Sequence, residues 1–588
     1  MLKRFLEYTK GYRILTVICP IMIYLDVVVE LKIPKVMGQV TDILISIKSG
    51  SAVMDDITRQ LTGKLLEMLL LCALTLIIGY IAARCSAIAS MGFGANLRRE
   101  LFYKIQSLSF ENIDKLKIST LITRMTSDVS MIQNTYKNTI VTFIKGPIML
   151  VTALIYAIEI SKELSSMFYV ALPAIVIILA IMGYMAVPAF KKMLKTTDRF
   201  NGVLRGNING IRVVKSFVRE DHEKEKFEKV NNEVLKMNIR AQSLVLYISP
   251  AIMVVVYGCM VFAFWRGSSL ILEGNSGLTT GEMSTFVAFI SQVLSSLMTV
   301  LLVFVSMFVS KASIERLGEI FNQEPAVSDK DADESLKVKD GSIEFRNVSF
   351  KYDDSVAKNI LENVSFRINA GETIGIIGST GSAKSTLIQL IPRLYDVTEG
   401  EVLVGGRNVK DYTFKNLRSE ISVVLQHNML FTGTIMENIR WGKPDATDEE
   451  VFAAARDAQA HDFISEFEKG YDSKLSQGGS TVSGGQRQRI CIARALLKKP
   501  RILILDDSTS AVDTATDAGI KKALRSERYN DITKIIIAQR ITSIMDADRI
   551  IVIEDGKIEA VGTHSELKET SEVYREIFVS QQEGVLAQ

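Results

Sequence analysis

Six apolar runs, at residues 14–33, 65–89, 139–160, 167–189, 244–272 and 283–309, dominate the first 310 residues of this chain. Each reaches the ~20 residues that an α-helix needs to cross ~30 Å of hydrocarbon. With no water in the bilayer core, every backbone N–H and C=O must pair within its own segment, so such runs span as helices. An all-helical, six-helix transmembrane domain is therefore expected over 1–310. The whole chain is 48% hydrophobic yet 23% charged, with a mean hydropathy of +0.20, so its apolar residues are segregated rather than mixed. The 588 residues are also too many for one core, and at least two domains follow. The first run contains Asp26 and Glu30 and has no small-residue cleavage site behind it, which sets it apart from a removable signal peptide.

The links after spans one, three and five are short, whereas those after spans two and four carry long polar segments such as "NLRRELFYKIQ" and "FKKMLKTTDRF". Lys and Arg concentrate there and in the leading "MLKRFLEYTKGYR". By the positive-inside rule these parts, and both termini, are cytoplasmic. The helices should continue beyond the membrane and turn near 110–118 and 210–219. A net charge of +3 gives no reason to expect a nucleic-acid partner; lipid is the surrounding medium of the first half. The five cysteines, Cys19, Cys72, Cys85, Cys259 and Cys491, show no metal-ligand spacing and read as buried thiols.

Past residue 310 the pattern changes. The acid-rich "NQEPAVSDKDADESLKVKD" places a linker at 311–340, and beyond it, over 341–588, short β-branched runs alternate with helical ones. "ETIGIIG", "ISVVLQ", "RILILDD", "TKIIIAQ" and "RIIVIEDGKI" predict an α/β domain with parallel strands. Between one such strand and a helix lies "GSTGSAKST": Gly378, Ser379, Thr380, Gly381, Ser382, Ala383, Lys384, Ser385 and Thr386. It is a P-loop in its expected strand–loop–helix context, whose backbone N–H groups cradle phosphates while the lysine reaches β and γ oxygens and the serine hydroxyl meets magnesium. Ala383 stands where glycine is usual. If that position needs positive φ, alanine is strained or the loop shifts. "VSGGQRQR" opens a further helix with Ser483, Gly484, Gly485 and Gln486, a second set of backbone donors suited to an anion.

Taken in order, these segments resemble a half-transporter of the ATP-binding-cassette exporter family, six spans fused to one nucleotide-binding domain. "GSTGSAKST" resembles its Walker A, "ILILDD" its Walker B, "VSGGQ" its signature, Gln426 its Q-loop glutamine and "SAVD" its D-loop; Tyr352 matches the aromatic that stacks on adenine. The resemblance implies ATP and Mg2+ as ligands, with Ser385, Gln426 and Asp506 around the metal. It further implies two chains, each ATP lying between one chain's Walker motifs and the other's signature, and coupling helices at the two cytoplasmic turns.

The chain departs from that pattern twice. Asp507 follows the Walker B aspartate where a glutamate serves as general base, and Gln539, in "IIIAQRITS", occupies the place of a histidine. One methylene shortens the acid's reach by ~1 Å, a displacement that can cost on the order of 100-fold in rate. A glutamine still donates a hydrogen bond but carries no charge. In both losses, and in "SQGGST" where homodimeric exporters commonly have "GERG", the chain resembles the degenerate-site subunit of bacterial heterodimeric multidrug exporters. The expectation is a partner half-transporter bearing the glutamate and histidine, whose site this chain's Ser483, Gly484, Gly485 and Gln486 complete. The alternative is a homodimeric exporter of lipid or peptide using Asp507 as a slow base. Resemblance favours small, hydrophobic or drug-like cargo and a plasma-membrane location.

Charges inside spans are costly and mark a cavity or a partner. Asp26 and Glu30 lie one helical turn apart on the first span, as a cation-attracting site or as a wetted end paired with Lys32 or Lys35. Lys145, beside Gly146 and Pro147, is the third cavity candidate; Arg84 and Arg266 also sit at span edges. Tyr24, Phe143, Tyr156, Tyr257 and Phe289 would line a drug site or simply pack.

Overall fold

The computed structural model describes residues 7–48, 54–273, 277–352, 358–508 and 512–586. They form two compact units, Met1–Lys104 with Ser119–Asn322, and Ile105–Ile118 with Gln323–Gln588.

Among the described residues the first unit is all helical, and six of its segments are long and apolar enough to span a membrane: Arg13–Ile47, Ile57–Gln106, Ile118–Ile160, Lys162–Asn209, Glu220–Glu273 and Thr280–Val300. The first five expected spans fall inside these segments, and the sixth, 283–309, runs past Val300 along the longer helix Thr280–Asn322. The polar continuations are helical too: Met54–Gln106 is one helix of 53 residues, about 80 Å at 1.5 Å per residue. The first span breaks at Leu31 and resumes as Lys32–Lys48. Packing concentrates on Phe286, Phe289, Ile290 and Val293 of the last long helix, which meet Ala153, Ala157, Phe168 and Ala171. Small residues opposite large ones let helix backbones approach closely where lipid offers no hydrophobic drive. Much apolar surface stays exposed, including Leu69, Leu76 and Tyr184. Cys72 is exposed among these residues, contrary to its expected burial, because the second span hides little of its surface inside the unit and an apolar environment lies outside it instead.

The second unit carries a six-stranded sheet in the order Lys557–Gly562, Arg549–Glu554, Thr373–Ile377, Thr533–Ile537, Ile502–Asp506, Ile421–Val424, parallel throughout except for the first, an edge strand. Whereas the edge strand Lys557–Gly562 is buried only at Gly562, the parallel runs are largely buried on both faces, as expected of strands that helices cover on both sides. Ile502 to Leu505, for example, are all buried. A four-stranded sheet built on Ile343–Phe350 and Leu361–Ile368 lies beside it, antiparallel in every pairing.

The linker expectation needs correction. Residues 311–322 belong to the helix Thr280–Asn322, whose regular pattern continues through "KASIERLGEIFN". The acid-rich remainder is pinned to the second unit: Arg393 donates to the Ser328 carbonyl (2.9 Å), the Asp329 carboxylate caps Phe414 N (2.9 Å), and Asn416 bridges the carbonyls of Glu334 and Leu336. Polar composition made it look like a solvated tether; its side chains and carbonyls are partners for specific donors. The short helix Phe110–Leu116, at the first expected turn, also belongs to this unit, where Asn112 exchanges hydrogen bonds with Glu324 O and Ala326 N and Tyr395 donates to Asp114. The second turn is the helix Ile211–Ser216, with Ile211, Val213 and Phe217 exposed.

Candidate functional site

The strand Thr373–Ile377 ends in the loop 378–383, and the helix Lys384–Leu390 starts at its far side. Gly378 is required by close approach, since a Cβ there would lie 2.0 Å from the Ile553 carbonyl. Ala383 adopts φ +73°, ψ +19°, the left-handed conformation that glycine enters freely and alanine only at a cost. Of the two outcomes left open by the sequence, the loop keeps its shape and the alanine bears a strain on the order of 1–2 kcal/mol. Its methyl packs against the core of the domain.

Lys384 Nζ turns onto the loop's own acceptors, Gly378 O (2.9 Å), Ser379 O (2.7 Å) and Ser382 Oγ (3.2 Å). The ammonium therefore stands where phosphate oxygens would replace those carbonyls. Burial lowers its pKa, against the opposing pull of Asp506, Asp507 and Glu554. Asp506 closes its strand, buried and hydrogen-bonded to Ser385; burial raises its pKa, and the neighbouring Asp507 adds to this. A hydroxyl and a carboxylate side by side at a P-loop are hard oxygen donors, and they suit a Mg2+ bound together with nucleotide phosphates. Tyr352 OH bonds to Thr386 Oγ1 and Gln389 Oε1, both at 3.1 Å, which fixes its ring beside the loop's helix.

The two unusual residues meet. Gln539 Nε2 donates to Asp507 Oδ2 at 2.9 Å, and Gln426 Nε2 approaches the same oxygen at 3.4 Å. Asp507 itself sits at φ +49°, a region that aspartate enters more readily than most residues. Its N–H donates to Ile537 O (3.0 Å) and its carbonyl accepts from Gln488 Nε2 (3.1 Å). The shortened acid is thus held by its backbone and by side-chain amides on its carboxylate. Gln488 went unnoticed in the sequence; it lies two residues beyond the "SGGQ" run, and only the fold brings it under Asp507.

Ser483 caps the helix Gly484–Leu497 in a reciprocal box with Gln486: Ser483 Oγ accepts from Gln486 N (3.2 Å), and Ser483 N donates to Gln486 Oε1 (2.9 Å). Ser483 and Gly484 are exposed, so this helix start is open to solvent. Of the "SAVD" run, residues 510 and 511 lie outside the described residues; Asp513 caps the helix Thr514–Leu524 through Thr516 N (2.9 Å).

In the helical unit, Lys145 Nζ lies 3.1 Å from Asp26 Oδ2 and 2.9 Å from Glu30 Oε2. The three cavity candidates thus form one cluster between the first and third spans, and the partner expected at Lys32 or Lys35 is Lys145 instead. Lys35 lies over the Tyr156 ring. Arg84 meets Tyr80 OH (3.5 Å), and Arg266 pairs with Glu163 (2.8 Å). Phe289 is buried, with Tyr156 against it, and Phe143 stands edge-on to Phe304, so these three are packing residues. Tyr24 and Tyr257 are exposed, and Tyr257 lines a cavity of about 350 Å³ with Met253, Met260 and Met298.

Comparison with known proteins agrees with this layout. Residues 16–310 match the ABC transporter transmembrane region family and residues 361–510 the ABC transporter family. The ABC transporter ATP-binding protein YfiB of Bacillus subtilis (strain 168) is 33% identical over 583 residues, covering 99% of this chain and 98% of its own. YgaD of the same organism, named for multidrug export as an ATP-binding/permease protein, is 31% identical over 600 residues, 99% of each. A bacterial Atm1-family ABC exporter with ATP bound superposes with a TM-score of 0.81 at 24% identity, over 97% of this chain and 98% of that one, which establishes the shared fold. Six spans fused to a P-loop α/β domain, with full-length relatives of the same plan, place this chain in the ABC transporter family, as a multi-pass membrane protein of exporter fold.

Proposed function

We propose that this chain is one half of a two-chain ABC exporter whose own Walker site holds ATP and hydrolyses it poorly. The observation that carries this reading is the direct hydrogen bond between Asp507 and Gln539, at the positions where the family pattern has its base and its histidine. A carboxylate that is one methylene short and held by amide donors is displaced from an attacking water, and no imidazolium is available for the γ-phosphate. Tyr352, residues 378–386, Gln426 and Asp506 bind the nucleotide. Mg2+, held by Ser385, Gln426 and Asp506, would supply charge neutralisation at the β and γ oxygens. The exposed helix start at Ser483, Gly484, Gly485 and Gln486 completes the site of a partner half-transporter that bears the glutamate and histidine. ATP retained here keeps the nucleotide domains associated while hydrolysis at the partner's site resets the cycle. Phe110–Leu116 and Ile211–Ser216 serve as coupling helices, and both termini are cytoplasmic in a plasma-membrane exporter.

The cargo is proposed to be small and hydrophobic or drug-like, a reading supported by the multidrug-export name of one full-length relative. Asp26, Glu30 and Lys145 contribute to its path, supported by their clustering within the spans, where two carboxylates face one ammonium. Asp26→Asn should lower transport of cationic cargo more than of neutral cargo in vesicles; equal loss of both would remove the cluster from the path.

Affinity capture of the C-terminally tagged chain from its native membrane, followed by mass identification in mild detergent, tests the assembly. A second half-transporter with the missing glutamate and histidine is the expected companion. Recovery of this chain alone, as an ATP-hydrolysing dimer, would make Asp507 a working base and overturn the proposal.

A further inference from the structure

The loop that carries Gln539 is held from an unexpected direction. The carboxy-terminal helix Glu572–Leu586 runs against it, with Tyr574 fully buried and Val573, Ile577 and Phe578 packed beside Ala538, Ile541 and Ile544. One turn past Phe578, Gln581 spends both ends of its amide on the loop backbone. Its Nε2 donates to Gln539 O at 2.7 Å, and its Oε1 accepts from Ile541 N at 2.9 Å. The two groups flank Arg540, which is extended at φ −105°, ψ 128°, so the side chain pairs with the loop as a neighbouring parallel strand would. Beyond it the chain turns into the short helix Ile541–Ser543, and the Ile541 N–H, among the first of that helix, finds its acceptor in Gln581.

A side-chain amide offers a donor and an acceptor in one planar group without a change of protonation, and glutamine reaches further than asparagine. On the other side of the same loop, Gln539 Nε2 bonds to Asp507 Oδ2. A continuous line of contacts therefore runs from the last helix, through Gln581 and the backbone at 539, to the carboxylate beside the P-loop.

We propose that Gln581 is a positioning residue for the nucleotide site: it sets the backbone at residue 539, and hence the Gln539 amide, against the terminal phosphate of bound ATP. This rests on the reading of Gln539 as a phosphate-facing residue and extends the site to a helix that the family motifs do not include. Gln581 touches no nucleotide and acts through residue 539 alone.

The test uses the purified full-length chain in lipid nanodiscs and the release rate of trinitrophenyl-ATP with magnesium. Gln581→Ala loses both hydrogen bonds to the loop and should speed release roughly fivefold. Gln581→Glu keeps the acceptor for Ile541 N but sets a carboxylate oxygen against the Gln539 carbonyl, so its release should be at least as fast as in Gln581→Ala. In a Gln539→Ala background, itself faster in release, Gln581→Ala should add nothing. Unchanged release in Gln581→Ala overturns the proposal, as does an undiminished further increase in the Gln539→Ala background. Faster release in Gln581→Ala with none in Gln539→Ala overturns it too, because the clamp then acts elsewhere. If Gln581→Ala fails to fold, Gln581→Glu carries the test, and unchanged release in it decides against the clamp. Hydrolytic competence is read separately by phosphate production, so the clamp can fail while the poorly hydrolysing site stands.

Discussion

The two sides of the nucleotide site differ in how completely they are furnished. The phosphate cradle has its glycine of close approach at Gly378, its lysine, and a hydroxyl–carboxylate pair in Ser385 and Asp506, all placed by two strand ends and one helix start. The hydrolytic corner, a few residues away, has a short acid and a neutral amide bonded to each other. Binding needs only donors and charge in place before the reaction, whereas hydrolysis needs a base at the correct distance in the transition state. On the proposed reading a site can lose the second and keep the first, and the difference teaches that phosphate motifs alone speak to binding while the corner decides catalysis.

The largest expected effect comes from refurnishing the corner. Asp507→Glu combined with Gln539→His should raise this site's phosphate release on the order of 100-fold, with each single change giving far less than the square root of that gain because the two residues act as a unit. Unchanged turnover with ATP still bound would erase the contrast between cradle and corner.

Dismantling the cradle comes next. Lys384→Ala removes a charged donor to phosphate and should weaken ATP binding at this site roughly 10- to 100-fold, measured by equilibrium titration. Gln539→Ala should weaken it far less, and equal losses would break the comparison.

A smaller change sharpens the cradle itself. Ala383→Gly removes a left-handed alanine at φ +73° and should stabilise the nucleotide domain by about 0.5–1 kcal/mol, after allowance for glycine's greater unfolded entropy, or about 2 °C in calorimetry. A loss of stability would mean that the methyl's packing outweighs the strain.

The smallest effect is one of pH. Burial raises the pKa of Asp506 and lowers that of Lys384, so the acid takes up its proton at a higher pH, and the ammonium loses its own at a lower pH, than exposed groups do. Mg-ATP affinity should fall on the acid side as the carboxylate proposed to hold the metal is neutralised, and on the alkaline side as the cation is lost. Titration of Lys384→Arg should remove the alkaline limb and leave the acid one, since guanidinium does not deprotonate in this range.

Local pattern made the site's parts legible. Strand, loop and helix at 373–390 follow from an apolar run meeting glycines and then a helical period, and the parallel strands followed from runs apolar on both faces. The strands Leu361–Ile368 and Glu399–Val404 were not legible, because "LENVSFRI" and "EGEVLV" are short and half polar, and their pairing with Ile343–Phe350 is non-local. Asp26, Glu30 and Lys145 were each visible as charges out of place; that they share one cluster was not, since 115 residues separate Glu30 from Lys145 and only helix packing joins them.

The sequence by itself determined the six membrane helices, the α/β domain behind them and the phosphate loop, because bilayer thickness, strand burial and close backbone approach each demand particular residues at particular spacings. Tertiary structure decided the rest: that Ala383 is left-handed, that Asp507 and Gln539 touch, that the acid-rich segment is pinned rather than free, and that Gln581 reaches back 42 residues to the loop. Those features depend on distances between groups far apart in the chain, which hydrophobic periodicity does not encode and packing alone fixes.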